Sequence, residues 1–263
     1  MRVKNNWLAI FLAVAVIPLS GCGFIQKLRA RDNLNKGVKA FTEQKYALAG
    51  EYFEKSLQQD PDFEPARMYL ATTYTSQYIP GSTDPRSDEM AQKGIETFKE
   101  VVNRSADSAH PNINAMLSIA SLYYQLKKYE DSKDWCNRIL KIDPQNAEAF
   151  YRIAVIDYDD SVQLTGLQGE NVEYLAPEEK ASIQGHIEEG LKCLDQALQI
   201  RPNYFDAMEY QNLLMREKAK FESGEIKEDL IRQADLIAQK SLELRLKAQE
   251  EEAKKPRKLV ISK

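Results

Sequence analysis

The chain has 263 residues, 43% apolar and 29% charged, a globular balance that excludes a disordered polymer and suits one repeat array or one or two domains. A formal net charge of -4 supplies no basic field to draw in nucleic acid. Glycine is scarce at 11 residues, whereas Ala, Leu, Glu, Lys and Gln abound, which favours helix.

Residues 1–6 are polar and carry Arg2 and Lys4; residues 7–19, WLAIFLAVAVIPL, are almost entirely apolar. As a helix that run would rise about 20 Å, short of a hydrocarbon core about 30 Å thick. A charged start, a short apolar run and small residues follow the order of a secretory signal. The run closes on Leu19-Ser20-Gly21-Cys22. This resembles the bacterial lipobox, in which small residues admit a signal peptidase and the cysteine thiol takes a diacylglyceryl group. The resemblance implies that residues 1–21 are a cleaved signal peptide and that Cys22 is the acylated N-terminus. Residues 22–28 would then be a short tether. Two or three acyl chains anchor firmly where one does so marginally. An uncleaved anchor or an ordinary secreted protein is the alternative. Gly23 occupies the place where an aspartate retains Gram-negative relatives in the inner membrane. By that resemblance the expected location is the outer membrane, facing the periplasm.

The body of the chain repeats. Gly37, Ala49, Phe53 and Pro61 are spaced 12, 4 and 8 residues apart, and Ala120, Ser132, Cys136 and Pro144 have the same spacing. Gly190, Leu194 and Pro202 repeat the last two intervals. Small residues let paired helices approach, a larger one fills the space a turn later, and proline ends the second helix. A unit of this kind cannot bury its own apolar face and must stack on neighbours. The pattern resembles the tetratricopeptide repeat. The fold implied is all-α: a right-handed α-solenoid of about five helical hairpins over residues 29–221. Insertions are expected near 76–87 and 159–176, a long capping helix at 225–253 and a basic tail at 254–263. An unrelated helical bundle is the competing fold.

No catalytic centre, metal site or cofactor motif emerges from the residues. His110 precedes Pro111 in a loop, and His186 stands on a helix without ligands at metal spacing. Asp157, Asp159 and Asp160 read as a solvated helix end rather than a cation site, since no calcium-loop spacing follows. Cys136 and Cys193 lie on apolar faces of separate helices, suiting either packing or a disulfide. The insertion at 159–176 reads as a binding loop or an inert excursion.

The family resemblance further implies a concave groove lined from the first helix of each hairpin. Its expected lining is Leu34, Val38 and Phe41, then Met68, Thr72 and Thr75. Leu117, Ser121, Tyr124 and Gln125 come next, followed by Tyr151, Val155 and Tyr158. Such tyrosines combine contact area with a hydroxyl at low entropic cost. The expected partners are other proteins, held as a peptide or helix in this groove, and the membrane, reached through acylated Cys22. Nucleic acid and small-molecule substrates are not expected, and neither is enzymatic activity. Packing of these side chains against the next repeat is the alternative to a groove. Within the envelope, lipoproteins of this look include pilus-secretin pilotins and an outer-membrane-protein assembly factor; a docking regulator of a peptidoglycan enzyme is a second reading, and an enzyme with its site at the 159–176 insertion is the last.

Overall fold

A computed structural model describes residues 17–105 and 110–254, with side chains from residue 23. The expected leader up to Val16 and the tail from residue 255 lie outside the described residues. The described chain is helical throughout, and it divides into two units at Leu126 and Lys127.

The first unit holds α1 (Ile17–Thr42), α2 (Tyr46–Gln59), α3 (Glu64–Thr75), α4 (Pro85–Ser105) and α5 (Ile113–Gln125). Helix α1 turns sharply into α2 through Gln44, whose φ of 58° lies in the left-handed region. The amides of Gln44 and Lys45 donate to the carbonyls of Phe41 and Ala40 there, closing the helix end. Lys127 takes the same conformation, with φ of 57°, at the corresponding position 83 residues on. Ala30, Ala40, Ala49, Phe53 and Leu70 make the buried contact among α1, α2 and α3. Ser56 Oγ also donates to the Ala30 carbonyl at 2.7 Å. The connection between α3 and α4 is shorter than the expected insertion. Pro85 opens α4, so residues 85–87 are already helical. The buried Ser87 hydroxyl accepts from the Ile79 amide at 2.8 Å and clips the remaining loop down.

The second unit holds α6 (Tyr129–Ile142), α7 (Ala147–Thr165), α8 (Pro177–Ile200), α9 (Phe205–Ala219) and α10 (Gly224–Lys254). Ile183, Ile187, Leu194, Ala197, Tyr204, Ala207 and Leu214 form its core. The insertion expected at 159–176 is corrected: α7 continues seven residues into it, to Thr165. Ser161 and Thr165 stand on this continuation. Both are fully buried, and each hydroxyl donates to the carbonyl four residues back. What is left, residues 166–176, turns at Gly166 and Gly169, each with positive φ, and includes one 3₁₀ turn at Val172–Tyr174. Pro177 starts α8, and the Glu179 carboxylate accepts from the Ala176 amide at 2.8 Å. Helix α10 has 31 residues, extending the expected span by one residue at each end, and buries only Ala234 and Ser241 fully.

The first hairpin depends on Gly37. A Cβ at that position would stand 2.4 Å from Phe53 Cε1. The ring cannot retreat, because Phe53 is fully buried and stacked on Tyr69, with centroids 5.4 Å apart. Helix propensity favours alanine over glycine by about 1 kcal/mol, but overpacking a core costs about 1–3 kcal/mol. Gly37→Ala is therefore expected to lower stability by a net amount of order 1 kcal/mol, read as a reduced urea midpoint. Gly50→Ala, where a Cβ meets nothing within 4 Å, should raise it.

Candidate partner-binding surfaces

In the first unit, α1, α3 and α5 are the leading helices of their hairpins, and α1 touches α3. Asn112 Nδ2, just before α5, donates to Glu64 Oε1 at the start of α3 at 2.6 Å. Near the other end of the pair, Tyr78 Oη donates to the Gln125 carbonyl at 3.2 Å. These two bonds hold the expected lining residues of α3 and α5 on adjoining helices. Phe41 is half-buried, set edge-on to Tyr46 at 5.5 Å and to Tyr69 at 6.4 Å. Met68 and Thr72 are half-buried, and the Thr72 hydroxyl donates to the Met68 carbonyl within the helix. Leu117, Ser121 and Tyr124 are half-buried along α5. The exposed Tyr69 links Phe41 to the Phe53 core, a role the sequence pattern did not single out. Tyr74 Oη donates to Glu54 Oε1, and burial with that bond pushes its hydroxyl up to about 12.

In the second unit the expected aromatics pack against the next hairpin. Tyr151 meets Tyr204 at 5.1 Å and Tyr210 at 5.5 Å, and Tyr158 meets Tyr210 at 5.7 Å. Tyr204 Oη donates to Glu148 Oε2 at 2.7 Å, and the Arg201 guanidinium lies 4.2 Å from its ring. Burial raises the Tyr151, Tyr158 and Tyr210 hydroxyls, so they remain donors across the physiological range. Val155 is corrected. It is only 8% exposed, taken up by packing on a helix that has neighbours on several sides, and offers a partner no surface. Tyr204 and Tyr210 complete the aromatic row. They sit on a hairpin whose repeat pattern is too degraded to show them in advance.

Sequence reasoning also misjudged Asp157. Asp157 is fully buried rather than solvated. Lys133 Nζ on α6 donates to Asp157 Oδ1 at 2.6 Å and to Glu189 Oε2 on α8 at 2.9 Å. His186 Nδ1 lies 3.3 Å from the same Asp157 oxygen, and Asp157 Oδ2 accepts no hydrogen bond among the described residues. Burial pushes the Asp157 carboxyl up to about 6, against the pull of Lys133 and His186. Burial works to lower Lys133, but its bonds to Asp157 and Glu189 outweigh that and raise it, so it remains a cation. The ammonium occupies the middle of the cluster. Among the described residues no group of three His, Cys, Asp or Glu side chains is placed to hold a metal.

A second polar knot ties the end of α7 to α9. Thr165 Oγ1 donates to the buried Glu217 Oε2 at 2.8 Å, and Lys220 Nζ donates to the Gly166 carbonyl at 2.6 Å. Two clefts of about 220 and 240 Å³ also open in this unit. The first is lined by Leu140, Phe150 and Ile153, and the second by Leu198, Met208 and Gln211, which stand 58 residues further on at corresponding repeat positions. Cys193 borders the first cleft; Cys193 and Cys136 are both free thiols, which burial pushes up to about 12, outside the reactive range.

Lys133→Met leaves Asp157 as a buried carboxylate with only His186 near its bonded oxygen. A loss of about 3–5 kcal/mol is expected, whereas Lys133→Met with Asp157→Leu should recover most of it. The cost should also depend on pH. Losing the ammonium raises Asp157 further above its ordinary value of 3.8. The folded variant therefore binds a proton that the unfolded chain has released, and its stability falls as pH rises from about 4 towards 7. Urea titrations of the wild type and both variants at pH 4, 5.5 and 7 measure this.

Residues 113–146, from the first residue of α5 to the residue before α7, match the sequence model of the tetratricopeptide repeat. No curated protein sequence matches the chain. Among solved structures, the chain is similar to MamA protein, with a TM-score of 0.55 at 16% identity, over 89% of this chain and 98% of that one. It is also similar to MamA 41-end from Desulfovibrio magneticus RS-1, with a TM-score of 0.54 at 12% identity, over 83% of this chain and 96% of that one. At such identities the likeness is one of fold. Taken with the repeat match and the order of the hairpins, it makes this an all-α chain with the helical-repeat fold of tetratricopeptide proteins.

Proposed function

We propose that the chain is a non-enzymatic scaffold of the bacterial cell envelope, anchored by acylated Cys22, that binds segments of other proteins along the leading helices of its hairpins. The observation that carries the binding half is the row of half-buried, uncharged side chains on those helices: Phe41, Met68, Thr72, Leu117, Ser121 and Tyr124 in the first unit. A half-buried apolar or tyrosine side chain has lost part of its water already. Covering the rest releases more, at little cost in side-chain entropy. In the second unit the support is narrower, because Tyr151 and Tyr158 already lean on Tyr210. Their remaining exposed edges and the Tyr210 ring form one aromatic strip there.

The anchoring half is supported by the order of charged start, short apolar run and Leu19-Ser20-Gly21-Cys22. Cys22 falls within α1, and its side chain lies outside the described residues. Gly23 favours the outer membrane, facing the periplasm. The partner chooses among the narrower readings: a secretin points to a pilotin-like role, a barrel-assembly component to outer-membrane-protein assembly, and a wall hydrolase to docking of a peptidoglycan enzyme.

Two measurements test this. Alkyne-palmitate labelling in cells should mark the wild type and not Cys22→Ser, with the variant retaining its leader mass. For binding, the chain is captured from detergent-solubilised membranes, and the partners of the wild type are compared with those of Leu117→Lys combined with Tyr124→Ala. The double variant should lose its main partner at least tenfold while thermal unfolding shows it still folded. Unchanged recovery would remove the leading-helix surface of the first unit from the proposal.

A further inference from the structure

We infer that the outward face of the first turns of α1 is a contact for an anionic lipid surface: Phe24, Ile25 and Leu28 enter the head-group layer, and Lys27, Arg29 and Arg31 pair with its charges. The inference adds an orientation to the membrane reading above. It rests on that reading for the presence of a bilayer and for its nearness to the patch.

Every residue from Gly23 to Arg29 is exposed, and packing of α1 begins at Ala30, followed by Gly37 and Ala40. At about 100° per residue, Leu28 and Gly37 stand on opposite faces of the helix. Phe24, Ile25 and Leu28 share the outward face, being neighbours at i, i+1 and i+4. They are 65%, 49% and 48% exposed. On the same helical wheel Lys27 and Arg31 border this face on one side and Arg29 on the other. None of the three cations forms an ion pair among the described residues. The first acid of the chain is Asp32, and Lys36 neutralises it at 2.6 Å. A chain of net charge -4 thus begins with a stretch carrying only positive charge around an apolar patch.

That combination is the chemistry of a helix lying in a membrane interface, where apolar side chains enter the acyl boundary and flanking cations meet head groups. No helix among the described residues is long and apolar enough to cross a membrane, so the contact is one of surface. A second copy is the poorer occupant. A two-fold pairing of this face would set three cations against the same three. An acidic protein segment could satisfy the cations. The lipid surface is favoured because the patch directly follows Cys22, the residue proposed to carry the anchor.

Nitroxide accessibility tests the contact in the chain from residue 22 onward, which lacks the apolar run at 7–19, with Cys22→Ser and Cys193→Ala leaving the buried Cys136 as the one native thiol. Single labels are placed through Ile25→Cys and Leu28→Cys, with Gln26→Cys as an exposed control off the patch. The protein is reconstituted into phosphatidylethanolamine–phosphatidylglycerol vesicles or into phosphatidylcholine alone. In the anionic vesicles, labels at 25 and 28 should be several-fold less accessible to a water-soluble nickel chelate than the label at 26, and more accessible to oxygen. Phosphatidylcholine, or Lys27→Glu with Arg29→Glu and Arg31→Glu, should shrink that difference several-fold. Apart from Cys193, the substituted positions precede the packed part of α1 or, at Arg31, are exposed on it, so folding is not at stake there. Equal nickel access at 25, 26 and 28 overturns the inference. So does shielding that ignores lipid charge, or that tracks the protein-to-lipid ratio and thereby points to a second copy. Acylation is scored separately, by the mass of the native chain, so a failed contact and a failed anchor are told apart.

Discussion

Close approach of helix backbones is the constraint on which the rest of this structure depends. Gly37 lies against the Phe53 ring, Gly94 against the Thr75 methyl, and Gly190 against a Leu214 methyl, each where a Cβ would come within 2.7 Å of the facing side chain. Glycine in a helix costs up to about 1 kcal/mol relative to alanine, so its use here trades propensity for proximity. The closeness has a consequence along the chain. A hairpin whose helices nearly touch leaves its outer face bare and must lay it on the next hairpin, as α8 does on α9.

Within that frame, buried charge fixes arrangement more than it adds stability. Lys133 draws α6, α7 and α8 together through Asp157 and Glu189, and Glu217 with Lys220 ties the end of α7 to α9. Removing charges from water costs several kcal/mol per ion, which such pairs at best roughly recover. Apolar side chains of similar volume could replace them with little loss, but would tolerate a shifted helix. A 2.6 Å ammonium–carboxylate contact does not. The same knot holds the part of α7 that outgrows its repeat, because the Thr165 hydroxyl at its end has a carboxylate on α9 to reach.

The aromatic side chains serve two purposes, and the division differs between the units. In the first, Tyr69 and Phe41 stand over the Phe53 core with much of their surface still in water. In the second, Tyr151, Tyr158, Tyr204 and Tyr210 interlock, so part of the surface expected to meet a partner stabilises the stacking of α7 on α9 instead. Edge-to-face pairs contribute about 0.5–1.5 kcal/mol beyond their buried area. Tyrosine is suited to both uses, because the ring can be covered while the raised hydroxyl keeps its proton and remains a donor.

Sequence by itself determined the elements and their order. The spacing of Gly37, Ala49, Phe53 and Pro61, met again at Ala120, Ser132, Cys136 and Pro144, marks helical hairpins because small contacts and proline stops act locally, through backbone sterics. Tertiary structure decided what depends on neighbours distant in the chain. Helix α7 runs to Thr165 because Glu217 lies 52 residues away in sequence and 2.8 Å away in space. Asp157 is buried because Lys133 and His186 approach it from two other helices, and nothing in the string of acids at 157–160 distinguishes that from a solvated helix end. Val155 and Tyr158 share a helix only three residues apart, yet one is buried and the other half open. Periodicity names the face of a helix, whereas the partner helix decides how much of that face is left for anything else.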